Sequence, residues 1–319
     1  MAKRRIGILA VALCLCLVLM PCRARAASAI DVKEQIDTDK NCSLTISYCY
    51  GDVAFSELPV KLYKIADVSA DFQYTLTAAF AGSSLILDGI QTAGEWNVIR
   101  STLEAYILAN GVAADENGIT DATGKVSFAS LKAGLYLAVT DRVMRDEITY
   151  AFDGVLTALP GLRGNGLWRY AVDVTAKPGV IPPGDQEEIE LKVWKLWRGD
   201  SGKTSRPQSI EVEIFRNGAS HHTASLSSEN HWTYTWTAKD DGAQWTVVER
   251  NIPTGYTMTV EERETSFVIT NTLTQDDPGG SKPPQTGDTA NVMLWIVLMI
   301  LSGSMLVILG IIGKRNRVR

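Results

Sequence analysis

Apolar and polar residues alternate along much of the chain with the period of two that marks half-buried strands. Over residues 187–273, Ile189/Leu191/Val193, Ile210/Val212/Ile214, Trp232/Tyr234/Trp236, Trp245/Val247 and Phe267/Ile269 each share one face, and Asn217-Gly218 after the second set is a hairpin turn signal. About seven short strands in so short a segment predict two packed antiparallel sheets. Residues 30–177 are also strand-rich, with Leu44/Ile46/Tyr48, Val126/Phe128, Leu135/Leu137/Val139 and Val172/Val174. One stretch there changes period. Thr92-Ala-Gly-Glu95 is a capping box, Trp96, Ile99, Leu103, Tyr106 and Ile107 form a stripe at helical spacing, and Asn110-Gly111 ends it, so a single helix is predicted inside a β domain.

The two ends carry continuous apolar runs instead. Lys3, Arg4 and Arg5 precede an apolar stretch over residues 6–20, and small residues follow at Ala24 and Ala26, so 1–26 reads as a secretory signal peptide. Residues 292–312 are long and apolar enough for a transmembrane helix, with a basic cytoplasmic tail over 313–319. The middle is therefore exported. Two Pro/Gly-rich breaks divide it, a linker over 178–186 and a stalk over 274–288, leaving domains at 30–177 and 187–273.

Charge then narrows the partners. The exported part, residues 27–286, holds 22 Lys and Arg against 35 Asp and Glu, a net of −13 that argues against nucleic acid or an anionic membrane surface. No cofactor and no metal site is expected. Gly199-Asp-Ser-Gly-Lys203-Thr204 lacks the first Gly of a phosphate loop, where Trp197 stands, and His221, His222 and His231 have no ligand spacing. No Ser-His-Asp or dinucleotide fingerprint occurs, so a turnover enzyme is not expected. Only Cys42 and Cys49 reach the outside, and their odd spacing needs a turn between them before a disulfide could close. Arg198-Gly-Asp200 is the tripeptide read by integrins, with Ser201 as its common fourth residue, a short motif that recurs by chance and is expected on an exposed loop after the first strand of the second domain.

The main candidate chemistry follows from strand parity. Continuing Ile189, Leu191 and Val193 brings Lys195 and Trp197 onto the apolar face, as Trp245 and Val247 lead to Glu249, and Phe267 and Ile269 lead to Asn271. A desolvated Lys is pushed toward its neutral, nucleophilic amine and a desolvated Glu toward its protonated form. Glu249 can then act once per molecule as a proton shuttle while Lys195 attacks the Asn271 side chain, expelling ammonia and leaving an isopeptide bond. Lys192 competes as nucleophile but has the opposite parity.

Lys195-Leu-Trp197, Arg206-Pro207, Asn217-Gly218, Trp232-Thr-Tyr234, Trp245-Thr-Val-Val-Glu249, Gly255-Tyr256 and Ile269-Thr-Asn271 together resemble the Cna B-type domain. The resemblance implies an immunoglobulin-like β-sandwich of Gram-positive pilins and adhesin stalks, with a self-formed Lys-Asn bond between first and last strands. Pro283-Pro284-Gln285-Thr286-Gly287, followed by the apolar run and basic tail, resembles a cell-wall sorting signal with Pro283 at the usual Leu position. That resemblance implies cleavage of the Thr286–Gly287 bond by a sortase and transfer to a cell-wall precursor of the peptidoglycan, or to another pilin subunit.

Trp168, Val172, Val174 and Lys177 resemble the pilin motif whose Lys joins subunits, with Thr175 and Ala176 in place of its Tyr and Pro, which makes Lys177 the candidate polymerisation lysine. Pro59-Val-Lys-Leu-Tyr-Lys-Ile-Ala-Asp67, Gly134-Leu-Tyr-Leu137 and Leu159-Pro160 resemble the N-terminal domain of such pilins. Tyr48 stands where that domain would supply a cross-linking Lys, so no isopeptide bond is expected there. The chain thus reads as mainly β: two immunoglobulin-like sandwich domains of Cna B and pilin type, the first with an inserted helix, anchored to a Gram-positive cell wall. Its expected role is a pilin or adhesin-stalk subunit, with a host-matrix-binding adhesin, its first domain meeting host surface proteins, as the alternative.

Overall fold

A computed structural model describes residues 34–163, 166–181, 187–200 and 206–274. The signal peptide, the sorting motif from Pro283 to Gly287, the 292–312 run and the basic tail lie outside these residues; no helix among the described residues is long and apolar enough to cross a membrane.

The alternation of β1 (Cys42–Ser47) is reproduced residue by residue, with Cys42, Leu44 and Ile46 inward and the residues between them half-exposed. The other main elements before residue 176 are β2 (Pro59–Val68), helix α1 (Ala93–Asn110), β3 (Lys125–Leu131), β4 (Gly134–Thr140), β5 (Val155–Leu159) and β6 (Ala171–Thr175). β1 is the centre of a three-stranded sheet, parallel to β6 and antiparallel to β3. A five-stranded sheet runs β5, β4, β2 and Tyr74–Leu76, with Glu116–Ile119 also on β2. Leu44, Ile46, Phe128 and Val172 of the first sheet meet Leu62, Tyr136, Ala138 and Leu159 of the second in one core.

β4 is buried on both faces because α1 covers the far side of its sheet, so Leu135 and Leu137 pack under the helix while Tyr136 and Ala138 face the sheet-to-sheet core. The capping box forms as the sequence predicts. Glu95 N–H donates to Thr92 Oγ1 at 3.2 Å, Thr92 N–H donates to Glu95 Oε2 at 2.8 Å, and Gly111 closes the other end at φ +57°. The predicted stripe, with Ile99 and Leu103 buried, packs onto the sheet.

The second set of strands comprises β7 (Glu188–Arg198), β8 (Ser209–Arg216), β9 (Ala219–Ser227), β10 (Thr233–Lys239), β11 (Trp245–Glu249), β12 (Tyr256–Arg263) and β13 (Ser266–Leu273). They form two sheets, ordered β10-β7-β13-β12 and β9-β8-β11. Asn217 and Gly218, at φ +50° and +79°, make the β8–β9 hairpin. The first strand β7 and the last strand β13 lie side by side and parallel, with Lys195 opposite Ile269 and Trp197 opposite Asn271. Leu191, Val193, Ile214, Leu226, Val247, Phe267 and Ile269 fill the space between the sheets.

Pro178–Ile181, the start of the segment read as a linker, forms a strand on Ile148–Phe152. The two sets of strands belong to one compact unit, and α1 joins them. On the face away from its stripe, Ala105, Leu108 and Ala109 pack against Phe215 of β8 and Val248 of β11. Thr102 Oγ1 accepts a hydrogen bond from the Val260 amide of β12 at 2.9 Å.

Candidate functional site

Parity on three strands delivers three polar side chains to one end of the second core. Lys195 is 4% exposed, Glu249 3% and Asn271 0%. Lys195 and Asn271 sit on neighbouring parallel strands, on the same face, with Asn271 two register positions ahead, so the long Lys side chain runs along its strand toward the Asn. Glu249 reaches them from β11 in the opposite sheet. Lys195 Nζ lies 3.2 Å from Glu249 Oε2, and Asn271 Nδ2 donates to Glu249 Oε1 at 3.0 Å. Glu249 therefore touches both other members of the trio.

Burial governs the electrostatics. Loss of water pushes the Lys195 ammonium down to about 8, an effect that the Glu249 carboxylate only partly offsets. The same burial pushes the Glu249 carboxyl up, against the opposing pull of Lys195 and the Asn271 hydrogen bond. Both shifts favour a neutral amine beside a protonated acid. Asn271 Oδ1 is buried without a hydrogen-bond partner. Since an amide's O and N are assigned from its partners, a protonated Glu249 can present its proton to that oxygen after a half-turn of the amide.

Aromatic rings close the end of the site. Lys195 Nζ stands 4.4 Å from the centre of the Trp197 ring, which packs edge-on against Trp232 and Tyr256, each 5.2 Å away. The competing Lys192 is only half-buried and lies over Trp194, 5.0 Å from that ring's centre and outside the trio.

Asp200 is a correction to the sequence reading. It is buried at 6% exposure, not displayed on an open loop. Arg206 clamps its carboxylate through Nε and, at 2.7 Å, through Nη2, and the Tyr256 hydroxyl donates to it at 3.2 Å. The Arg206 hydrogen bonds hold the Asp200 carboxyl below its ordinary range. Its oxygens are engaged inside the fold, as an integrin-type contact would not allow. Arg206 and Tyr256 belong to the motif residues quoted above, and their shared task of tying down the loop after β7 carried no signal in hydropathy or parity.

In the first set of strands, the position after β1 holds Tyr48, 1% exposed, edge-on to Phe152 at 5.1 Å. Its hydroxyl is buried without a partner. Lys177 is exposed and lies 3.7 Å from Asp153. Cys42 is buried and Cys49 half-buried, and both are free thiols.

The fold and this buried Lys-Glu-Asn set define a β-sandwich with a buried polar trio where its first and last strands meet. Residues 191–272 match the family model of the Cna protein B-type domain. The chain is 34% identical over 118 residues to the collagen adhesin of Staphylococcus aureus, a match covering 34% of this chain and 10% of that protein. It thus spans about a tenth of the curated relative's length.

Among solved structures it is similar to a single B repeat unit of the S. aureus collagen-binding surface protein, at 18% identity over 74% of this chain and 100% of that one with TM-score 0.26. It is similar too to the full-length major pilin SpaD of Corynebacterium diphtheriae, at 12% identity over 75% of this chain and 99% of that one with TM-score 0.30.

Proposed function

We propose that the chain is a surface protein of a Gram-positive cell wall, a pilin or adhesin-stalk subunit whose second domain locks itself with a covalent bond between Lys195 and Asn271. The observation that carries this reading is the placement of Glu249 within 3.2 Å of Lys195 Nζ and 3.0 Å of Asn271 Nδ2 in a site closed to water. The neutral Lys195 amine attacks Asn271 Cγ while protonated Glu249 donates to the amide oxygen. Glu249 then relays an amine proton to Nδ2, the Cγ–Nδ2 bond breaks and ammonia leaves, and the proton lent to the oxygen returns to Glu249 as the carbonyl re-forms. One bond forms, one breaks, and Glu249 ends as it began.

On this reading, a sortase cleaves Thr286–Gly287 within Pro283-Pro284-Gln285-Thr286-Gly287 and joins the chain to the cell-wall precursor, with Lys177 as the amine for linkage to other subunits. The domain boundaries at 177 and 187 divide a recognition or shaft module from a cross-linked stalk module. The match to a protein named a collagen adhesin favours one second reading, in which the first domain binds a host matrix protein.

Intact mass of residues 27–286, wild type beside Glu249→Ala, tests the bond. The wild type is expected to be lighter than its sequence by one ammonia and the variant to have full mass; full mass in both would overturn the cross-link. High-mass ladders in wall extracts that vanish with Lys177→Ala separate the polymerising subunit from an anchored monomer.

A further inference from the structure

Helix α1 belongs to the first set of strands, yet it holds β11, which carries Glu249, and β12, which pairs with the strand of Asn271. On β11 and just after it, both chain neighbours of Glu249 are tied to the helix. Val248 packs with Ala105, and Arg250 Nη1 donates to the Ala109 carbonyl at 2.8 Å. On β12, the Val260 amide donates to Thr102 Oγ1 at 2.9 Å, and β12 pairs with β13 so that Met258 stands opposite Asn271. β12 is the edge of its sheet, and its outward amide would otherwise face water.

Thr102, Ala105 and Ala109 recur at helical spacing on one face, and Thr102 and Ala105 are 0% and 1% exposed. Small side chains let the helix backbone lie close to the sandwich. Arg250 also pairs with Glu213 of β8, so the helix, β8 and β11 share one charged junction.

We propose that docking of α1 sets the position of Glu249 against Lys195 and Asn271, so that the isopeptide bond forms only once the first domain has folded onto the second. Thr102, Ala105 and Arg250 are then positioning residues for the cross-link. This rests on the cross-linking reading above. The physical ground is that attack needs the amine, the amide carbon and the proton donor held together in a dry site, and small displacements of a strand are costly to such a geometry. Glu249 faces Lys195 from β7 and Asn271 from β13; Arg206 and Asp200 lie beyond Lys195, and no group on α1 enters the trio.

The test is cell-free synthesis of the full chain at a series of pH values, stopped at intervals and read by intact mass. Thr102→Val keeps shape but removes the acceptor for the Val260 amide, Arg250→Ala removes the tie to Ala109, and Thr102→Ser restores the hydroxyl. Loss of ammonia is expected to be about tenfold slower in Thr102→Val and Arg250→Ala and close to wild type in Thr102→Ser. In the slow variants the pH profile of the rate should shift, because water reaching a loosened trio returns the Glu249 carboxyl and the Lys195 amine toward their ordinary ranges.

Equal rates in the wild type and both slow-type variants overturn the inference while leaving the cross-link intact. A lower final extent with an unmoved pH profile and no rescue by Thr102→Ser also overturns it, since that is the mark of lost fold alone. Full mass in the wild type removes the cross-link and this inference with it.

Discussion

The two sets of strands solve one topological problem with different chemistry. In each, the first strand lies parallel to the last: β1 on β6, and β7 on β13. Where they meet in the first set, the inward positions are Leu44, Ile46 and Tyr48 facing Val172, Val174 and Ala176, and aromatic packing of Tyr48, Phe55 and Phe152 fills the end of the core. In the second set the same inward rows run Leu191, Val193, Lys195 and Phe267, Ile269, Asn271. A largely apolar end is cheap to bury, whereas an end holding an amine and an amide is tolerable only because Glu249 arrives from the opposite sheet to meet both groups. One region relies on packing alone, and the other holds an amine, a carboxyl and an amide that packing keeps dry.

The comparison breaks most sharply at Glu249. Glu249→Ala leaves the Lys195 amine buried without its partner and, on the proposed function, opens a ring of roughly 75 residues worth about 4 kcal/mol on chain entropy. Thermal unfolding should register a loss of at least about 4 kcal/mol relative to wild type. An unchanged midpoint would mean that the second core behaves like the first. Next in size is the converse change. Tyr48→Lys places an ammonium in the first core with no carboxylate partner, and denaturant unfolding should show destabilisation of about 3–5 kcal/mol with no loss of ammonia by mass.

A smaller effect sharpens the electrostatics. In Asn271→Ala the proposed bond has no acceptor, but Lys195 and Glu249 remain paired. Lys195 titrates near 8 when folded and near 10.5 when unfolded, so the unfolded chain binds the extra proton between these values and stability should rise with pH across that window. Glu249, pushed up by burial, gives the opposite slope above its ordinary range, where the folded chain binds the extra proton. Urea midpoints across the two windows check both signs; a flat profile would mean that the pair is hydrated. The smallest change is Asp200→Ala, which frees Arg206 and one partner of Tyr256 and should cost about 1–3 kcal/mol. If it removed adhesion to integrin-bearing cells at unchanged stability, the buried placement of Asp200 would be refuted.

Much of this was legible in the chain because strands are periodic. Counting by twos from Ile189, Trp245 and Phe267 put Lys195, Glu249 and Asn271 on inward faces, and all three are buried there. The capping box and the Ile99/Leu103 stripe likewise fixed α1 and the face it turns to its own sheet. What parity could not show were contacts made by residues that hydropathy treats as neutral. Thr102, Ala105 and Ala109 read as an unremarkable helix flank, yet they form the contact with the second sandwich. Asp200 read as an exposed loop residue because charge and glycine neighbours mark open loops; it does follow the strand, and the contacts of Arg206, six residues on, and of Tyr256 explain its burial.

The seal around the trio has a further consequence, for the lifetime of the product. An amide is broken by water, and the same walls of Trp197, Trp232 and Tyr256 that expel solvent from Lys195 before reaction would keep it from the new bond afterward. On the proposed function, with no ammonia left to reverse the step and no water to hydrolyse the amide, the reaction would run in one direction. The bond would then last as long as the protein itself.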